Sequence, residues 1–287
     1  MMSRHTMIVF ALMALTLKVC GASSHSHILA SDGSSAPTTD FIETHHDASA
    51  SKGVKRGKVL SSPLNLQEMY EAYKEIQTNY YNKTLTSREW KILNVNDGVE
   101  VAMLEHEDDP TCPYVRMKAI FPVPVQDCWD FLRVEHWNST MPIMDPFYEG
   151  VSVHGNFSHP DLHILLCRKR LKRIFVFGKR DLVFLSVTEN RPLPDGTWVS
   201  GTVSVNTTDL PRQHGYTRAF QDSVAFYKPL DQNHTELTIV CRIDLNDSMG
   251  DGGWIPMAFY VKTIGYTGAQ SVLRMRNALI KRSKGLS

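Results

Sequence analysis

The C-terminal part of the chain changes period abruptly, from the alternation of a strand to the spacing of a helix. Between residues 235 and 245 every second side chain is apolar, which predicts a strand with one buried face. From residue 255 to 281 apolar residues recur three and four positions apart, which predicts a long amphipathic helix. Such a helix must bury its apolar stripe, and the preceding strand indicates a sheet as the partner. The junction therefore favours an α+β fold.

Glycines mark both the junction and the stripe. Gly250, Gly252 and Gly253 precede Pro256, which opens the helix, so these four residues predict a hinge. Two further glycines interrupt the apolar stripe, where each costs roughly 1 kcal/mol relative to Ala. Something must approach the helix closely there, and both the sheet and a bound ligand remain open as that partner. The stripe comprises Met257, Val261, Ile264, Gly265, Gly268, Val272, Met275 and Leu279.

Upstream of the junction the chain supplies a helix and a series of strand pairs. Helical spacing follows Ser62 and Pro63, which predict the helix start. A hairpin is predicted to turn at residues 96–98, and a strand and a second helix follow it. Three more strand pairs then lead to the terminal helix. This order predicts a two-layer fold, with a curved antiparallel sheet wrapped around the C-terminal helix and a cavity between them, rather than a sandwich or a parallel fold.

The N-terminal residues have the character of a targeting segment. Residues 7–17 are apolar, follow one arginine and are too few to span a bilayer, so residues 1–22 are predicted to be a signal peptide. A buried N-terminal helix is the alternative. Residues 23–62 are rich in Ser, Ala, Thr, Asp and His, which predicts a disordered linker or propeptide, and residues 63–283 form the predicted domain.

A secretory destination is consistent with the glycosylation motifs and the cysteines. Asn-x-Ser/Thr motifs occur at Asn82, Asn138, Asn156, Asn206, Asn233 and Asn246, and we expect a glycoprotein of the secretory pathway or the extracellular space. Beyond the signal peptide lie Cys112, Cys128, Cys167 and Cys241. Two disulfides are possible in an oxidising compartment, while the apolar surroundings of Cys128 and Cys241 favour buried thiols.

Charge and motifs argue against several classes of function. The chain has 31 basic and 30 acidic residues, so no overall field attracts nucleic acid. It lacks the GxSxG and HExxH motifs and a glycine-rich phosphate loop, so we predict no catalytic residue and no cofactor. His154, His159 and His163 have a spacing that could suit a metal, but the residues between them indicate a turn, and no metal site is predicted.

Several motifs in series resemble those of one protein family. They are the segments FGKRDLVFLSV, WVSGTVSV, DLPRQHGYTRAF and DLNDSMGDGGWIPMAFYVKTIG, together with a Trp-Asn pair at residues 137–138. In order and spacing they are similar to the START family, the lipid-transfer domains related to the steroidogenic acute regulatory protein. The resemblance covers residues 63–283, nearly all of the predicted domain.

The resemblance implies a helix-grip fold whose sheet and C-terminal helix enclose a hydrophobic tunnel. It implies non-enzymatic binding of one lipid of the sterol, phospholipid or ceramide class, and its transfer between membranes. The protein is then expected to be a monomer that touches membranes transiently, and the C-terminal helix is expected to gate the tunnel. Two alternatives remain, a secreted helix-grip enzyme such as a hydrolase or cyclase, and a scavenging or signalling protein that binds lipid without transferring it.

Some family members hold the lipid's polar group with an acidic and a basic side chain inside the tunnel. By resemblance, Glu149 is the candidate for the acidic position, with a solvated residue at a strand end as the alternative, while Ser186 occupies the basic position, so the pair is incomplete. Arg168 and Arg242 are the candidate partners of a buried carboxylate. Lipid contacts are further expected from Val261, Ile264, Gly265, Gly268 and Val272 on the terminal helix. A basic run at residues 168–173 suggests a surface for anionic headgroups, with exposure on a strand as the alternative.

Overall fold

The computed structural model describes residues 57–86, 89–173, 178–245 and 257–285. Of the side chains in helices, those of residues 85, 86, 257–262 and 264 lie outside the described part. The predicted signal peptide and most of the predicted linker also lie outside it. So do the hinge residues Gly250, Gly252, Gly253 and Pro256.

The predicted helices and strands occur in the predicted order, and the structure adds one further α-helix and two short strands. The helices are α1 (Leu66–Thr86), α2 (Val125–Leu132), α3 (Trp137–Met144) and α4 (Met257–Ser283), with a short 3-10 helix at Val134–His136. The strands are β1 (Lys58–Val59), β2 (Lys91–Asn96), β3 (Val99–Leu104), β4 (Tyr114–Phe121), β5 (Tyr148–Ser158), β6 (Leu162–Leu171), β7 (Arg180–Glu189), β8 (Trp198–Asn206), β9 (Thr217–Arg218), β10 (Phe220–Pro229) and β11 (Thr235–Asp244).

The sheet confirms the predicted strand pairs and adds pairings between strands that are far apart in sequence. Its order is β2-β3-β4-β11-β10-β8-β7-β6-β5, and the neighbours along this path are antiparallel. The last strand, β11, pairs with β4, which joins the N-terminal hairpin to the rest of the sheet. Two short strands lie off this path and pair in parallel, β1 with β8 and β9 with β7.

The start of the domain differs from the prediction. Asn65 caps α1, because its Oδ1 accepts hydrogen bonds from the backbone N–H groups of Gln67 and Glu68 at 2.8 and 3.4 Å. The predicted cap, Ser62, instead donates to Asp209 Oδ1 at 3.1 Å. Since β1 already pairs with β8 and Leu60 is buried, the packed domain begins upstream of the predicted boundary at Pro63.

Each face of the sheet has its own apolar core. We call the face that carries Val183, Val203 and Val240 the outer face; helix α1 packs on it. The opposite face, which carries Val115, Phe184 and Leu237, is called the inner face, and α2, α3 and α4 pack on it. Because strand side chains alternate, nearly every strand supplies both cores. None of the helices in the described ranges combines the length and the apolar character needed to cross a bilayer.

Candidate functional site

The candidate site is the layer between the inner face and helices α2 to α4, which we call the inner layer. Its apolar residues come from both sides and include Cys128, Trp137, Met141, Ala225, Tyr227, Cys241, Ala269, Val272, Leu273 and Met275. Helix α4 lies over β2, β3 and β4 and beside α3. Two polar contacts join the helices, since Ser271 Oγ and Arg274 Nη1 donate to the Met144 carbonyl at 3.1 and 3.3 Å.

The two glycines in the α4 stripe face the sheet. A Cβ at Gly268 would lie 2.8 Å from Met117 Sδ, closer than van der Waals contact allows, whereas one at Gly265 would lie 3.5 Å from Leu93 Cβ. Of the two partners left open by the sequence, the sheet is therefore the one in contact. Val272 is buried in the same core.

A row of hydroxyl groups crosses the middle of the inner face. Ser186 on β7 lies opposite Thr202 on β8, which lies opposite Ser223 on β10. Thr202 Oγ1 and Ser223 Oγ share a hydrogen bond of 2.7 Å, and Ser200 Oγ shares one of 3.1 Å with the buried Tyr227 hydroxyl. These groups can exchange bonds with one another or with a ligand, so the row gives the layer a place for a polar group.

A lysine also faces this layer. On β6, Cys167 and Leu171 point into the inner core, and Lys169 between them shares their orientation and is only 8% exposed. Its ammonium lies 3.6 Å from Asp145 Oδ2 and 5.8 Å from the centre of the Trp137 ring. Together with Trp137, Leu182, Phe184, Thr202 and Gln221, it lines a void of about 10 Å³. That space suits about one water molecule.

Of the two positions expected for Glu149, the structure shows the solvated one at a strand end. Alternation from Val151 would point Glu149 into the inner core, but the strand register shifts between Tyr148 and Gly150, so Tyr148 points inward instead. Glu149 is exposed; its carboxylate accepts a hydrogen bond from the Tyr216 hydroxyl at 2.8 Å and lies 3.8 Å from Lys179 Nζ. It therefore lies outside the inner layer.

The two predicted arginine partners also lie elsewhere. Arg168 and Arg242 belong to the outer face, because they share the alternation of Leu166 and Val240. Arg168 donates to the Pro211 carbonyl at 2.5 Å, and Arg242 donates to Asp109 Oδ2 at 2.7 Å. Among the described residues neither arginine is paired with Glu149, so the structure does not bring the predicted charged group together. Their contacts hold loops against the sheet.

Of the predicted lipid contacts, Ser186, Gly265, Gly268 and Val272 lie in the inner layer, but Ser186 is on β7 whereas the two glycines face β2 and β4. Val261 and Ile264 lie on α4, but their side chains are outside the described residues. Lys169 was missed because the basic run at 168–173 was treated as one exposed surface. Alternation with Cys167 was the signal that could have separated Lys169 from its neighbours.

Other polar groups have structural roles. Asp181 is fully buried and accepts two hydrogen bonds from Arg218, at 3.1 and 3.0 Å, as expected for a structural ion pair. The three histidines of the metal alternative have separate partners: His154 contacts Ser152, His159 stacks on Tyr70, and His163 contacts Asn156. Across the described ranges, no group of three or more His, Cys, Asp and Glu side chains could hold a metal ion.

The four cysteines of the domain are all buried, and none forms a disulfide. Burial raises the pKa of Cys128, Cys167 and Cys241 to about 12 in each case. A thiol with a raised pKa supplies little thiolate near neutral pH, so these side chains are poor nucleophiles. They serve as small apolar groups of the cores.

Comparisons with known proteins agree with this architecture. The profile of the START domain matches residues 71–260. Human StAR-related lipid transfer protein 5 has 17% identity and a TM-score of 0.64, over 76% of this chain and 100% of that one. Human STARD10 has 14% identity and a TM-score of 0.60, over 77% and 81%. The human StarD13 (DLC2) lipid transfer and protein localization domain has 20% identity and a TM-score of 0.53, over 72% and 95%. No curated protein sequence matches the chain.

Proposed function

The chain belongs to the START domain family, and from this membership we propose that it binds one lipid molecule in the inner layer and transfers it between membranes without chemical conversion. The observation that carries the proposal is the composition of this layer, an apolar core between sheet and helix with a hydroxyl row at its centre. An apolar chain and one polar group are what a membrane lipid presents. Sterols, phospholipids and ceramides all have this character.

Burial explains why a carrier helps such a ligand. Each methylene exposed to water costs about 0.8 kcal/mol, so an acyl chain of about 16 carbons meets a barrier above 10 kcal/mol if it leaves a membrane unprotected. An enclosed apolar layer removes much of that barrier. Shielding a lipid from water requires no catalytic group. We therefore propose that the protein is not an enzyme.

Entry of a lipid requires the layer to open. Ligand pockets commonly have volumes of about 300–1,000 Å³, whereas the void beside Lys169 is about 10 Å³. Helix α4 is the proposed gate, because it covers one side of the layer and follows the glycine-rich residues 250–253. The proposed hinge comprises Gly250, Gly252, Gly253 and Pro256.

A reversible tether between α4 and β2 tests the gate. A Cβ at Gly265 would lie 3.5 Å from Leu93 Cβ, within the range of disulfide-bonded cysteines. We expect the Leu93→Cys, Gly265→Cys double variant to exchange fluorescent lipid at least about tenfold more slowly when oxidised than when reduced. The reduced variant is the matched control, since it has the same sequence. Equal rates in the two states, with the disulfide verified by mass spectrometry, would exclude α4 as the gate.

A transfer assay tests the function itself. The full chain, purified from a secretory host, is analysed by native mass spectrometry for a bound lipid and then incubated with donor and acceptor liposomes. Lipid movement that rises with protein concentration supports transfer. Binding without movement supports the scavenging alternative, and conversion of the lipid supports the enzyme alternative. A protein that extracts no lipid from mixed vesicles would overturn the proposal.

The location of the protein in the cell and its oligomeric state are also proposals. We propose a monomer in the secretory pathway or outside the cell that touches membranes transiently through exposed cations, including Lys172, Arg173 and Lys179. If the chain is glycosylated, Asn138 is a poor acceptor site. Its side-chain amide donates to the Val151 carbonyl at 3.2 Å and its oxygen accepts from the Tyr148 hydroxyl at 2.6 Å.

A further inference from the structure

Lys169 is an unusual residue for the inner layer. Lysine is rarely buried without a partner, because its ammonium loses the hydrogen bonds of water. The strand alternation fixes its direction: Lys169 lies opposite Leu182 on β7 and Val151 on β5, and both belong to the inner core. Its side chain therefore cannot reach the outer face without disruption of the strand register.

Within the described part of the chain, the Lys169 ammonium donates no hydrogen bond. Asp145 Oδ2 lies 3.6 Å away, beyond hydrogen-bond range. The other oxygen of that carboxylate accepts from the Phe147 backbone N–H at 2.9 Å, which holds Asp145 at the end of α3. The second neighbour is the Trp137 ring, 5.8 Å from the ammonium. A buried cation with this environment has unused donors.

The Lys169 side chain borders the void of the inner layer. Thr202 lies in the lining as well, and its hydroxyl is bonded to Ser223 at 2.7 Å. The other lining residues are mainly apolar, namely Trp137, Leu182 and Phe184. An oxygen atom placed in this space would lie beside the Lys169 and Thr202 side chains. It would remain shielded from water by the aromatic rings.

We infer that Lys169 and Thr202 bind an anionic oxygen of the lipid head group, so that the protein selects acidic lipids. The inference rests on the proposed function and names the ligand class of the same layer. Charge-assisted hydrogen bonds are roughly twice as strong as neutral ones, and an ammonium in an apolar layer favours an anion over a neutral hydroxyl. The anionic oxygen can come from a carboxylate, as in a fatty acid, or from a phosphate, as in phosphatidic acid.

Paired ligands test the selectivity of the unmodified full chain. Palmitate is compared with hexadecanol, and dioleoyl phosphatidic acid with dioleoylglycerol, by displacement of a fluorescent lipid. The acidic member of at least one pair is expected to bind at least about tenfold more tightly than its neutral partner. The pair that shows the preference identifies carboxylate or phosphate as the source. Equal affinity within both pairs would overturn the inference and leave the proposed function intact, whereas no binding of any lipid would overturn both.

Variants assign the selectivity to Lys169. Lys169→Met keeps the length of the side chain and removes its charge, so it should lose the preference for the acidic lipid and keep the affinity for the neutral one within about twofold. Lys169→Arg should retain the preference. The matched control is Lys228→Met, which removes an exposed charge on β10 and should leave the preference unchanged. A preference that persists in Lys169→Met would contradict the inference.

A substitution of Asp145 should change the affinity for the acidic lipid in the opposite direction, toward tighter binding. Asp145→Asn preserves a side-chain oxygen for the Phe147 N–H but removes the negative charge near Lys169. The variant should bind the acidic lipid several-fold more tightly, because the anion no longer competes with a carboxylate. Weaker binding of the acidic lipid would mean that Asp145 supports rather than opposes the site.

If Lys169→Met does not fold, the unmodified protein still gives a direct readout. The carboxyl resonance of bound palmitate, labelled with carbon-13 at that carbon, should remain at the ionised position to a lower pH than in palmitate bound to lipid vesicles. A nearby ammonium stabilises the carboxylate form. A bound carboxyl group that titrates as it does in vesicles would overturn the inference for the carboxylate source, and phosphorus resonances of bound phosphatidic acid provide the same test for the phosphate.

Discussion

The charges of Asp181 and Arg242 on the outer face and of Lys169 on the inner face differ in how closely they are paired. On the outer face, Asp181 accepts two hydrogen bonds from Arg218, at 3.1 and 3.0 Å. Arg242 likewise donates to Asp109 at 2.7 Å. On the inner face, Lys169 has a carboxylate only at 3.6 Å and borders a void. Both faces are buried by helices, so burial alone does not explain the difference.

The difference indicates two tasks. Charges with close partners fix loops and strand ends in one arrangement, because breaking such a pair leaves an uncompensated buried charge. A charge without a hydrogen-bonded partner adds little to the stability of the fold. It can instead interact with a molecule that enters the layer. We interpret the outer-face pairs as permanent support of the fold and the position of Lys169 on the inner face as the exchangeable one.

The largest expected effect comes from the paired charge on the outer face. Asp181→Asn removes the charge that neutralises Arg218 and should lower the free energy of unfolding by about 3–5 kcal/mol. Lys169→Met on the inner face should change it by less than about 1 kcal/mol, because no hydrogen bond is lost. Urea unfolding of the two variants measures both values. If the lysine variant is the less stable of the two, the proposed division between the faces is wrong.

A second outer-face carboxylate should make stability depend on pH. Asp222 is buried beneath α1 and accepts a hydrogen bond from the Ser204 backbone N–H at 2.7 Å. Burial raises its pKa from 3.8 to about 7. The folded state therefore retains a proton that the unfolded state releases, and this contribution to stability is full below pH 4 and is lost as pH rises to about 7.

Asp222→Asn isolates this contribution, since the amide keeps an acceptor for Ser204 but does not titrate. Relative to the variant, the unmodified protein should lose up to about 4 kcal/mol between pH 4 and 7, and nothing further above it. Urea unfolding at several pH values gives the difference. A constant difference across this range would show that Asp222 does not titrate there.

The stripe glycines test how tightly α4 packs on the inner face. Gly265→Ala places a methyl group in ordinary contact with Leu93, so the gain in helix propensity should raise the free energy of unfolding by about 0.5–1 kcal/mol. At Gly268 the same change requires Met117 to move, and the gain should be smaller or reversed. Thermal unfolding compares the two. A larger gain at Gly268 would show that α4 stands away from the sheet in solution.

Sequence patterns predicted those parts of the fold that depend on residues close together in the chain, such as turns. The turn at residues 96–98 is confirmed, since Asp97 and Gly98 have φ of 48° and 73°, which a tight hairpin turn requires. The pairing of β11 with β4 was not predicted, because the strands are far apart in sequence and many partners satisfy the same alternation. The glycine contacts of α4 depend on that pairing and could not be assigned either.

The candidate site was predicted only in part for a similar reason. Ser186, assigned from the family resemblance, and Val272, assigned from helical spacing, both lie in the inner layer, and their contact with a lipid stays a prediction. The tunnel position for Glu149 failed because a β-bulge reverses the alternation beside it, and Gly150 at the bulge was the signal in the sequence that was not used. Lys169 followed the simple alternation of its strand. It was overlooked because its charge suggested exposure.

The smallest expected effect concerns two buried tyrosine hydroxyl groups. Here the hydrogen-bonded group is on the inner face, so the difference between the faces applies to charges and not to hydroxyl groups. Tyr73 lies on the outer face, fully buried, and its hydroxyl has no hydrogen-bond partner among the described residues. On the inner face, Tyr227 shares a hydrogen bond of 3.1 Å with Ser200. Tyr73→Phe should therefore change the free energy of unfolding by less than about 0.5 kcal/mol, since no hydrogen bond is lost. The matched variant Tyr227→Phe should cost about 1 kcal/mol. Urea unfolding measures both, and a large loss for Tyr73→Phe would reveal a bound water or another partner on the outer face.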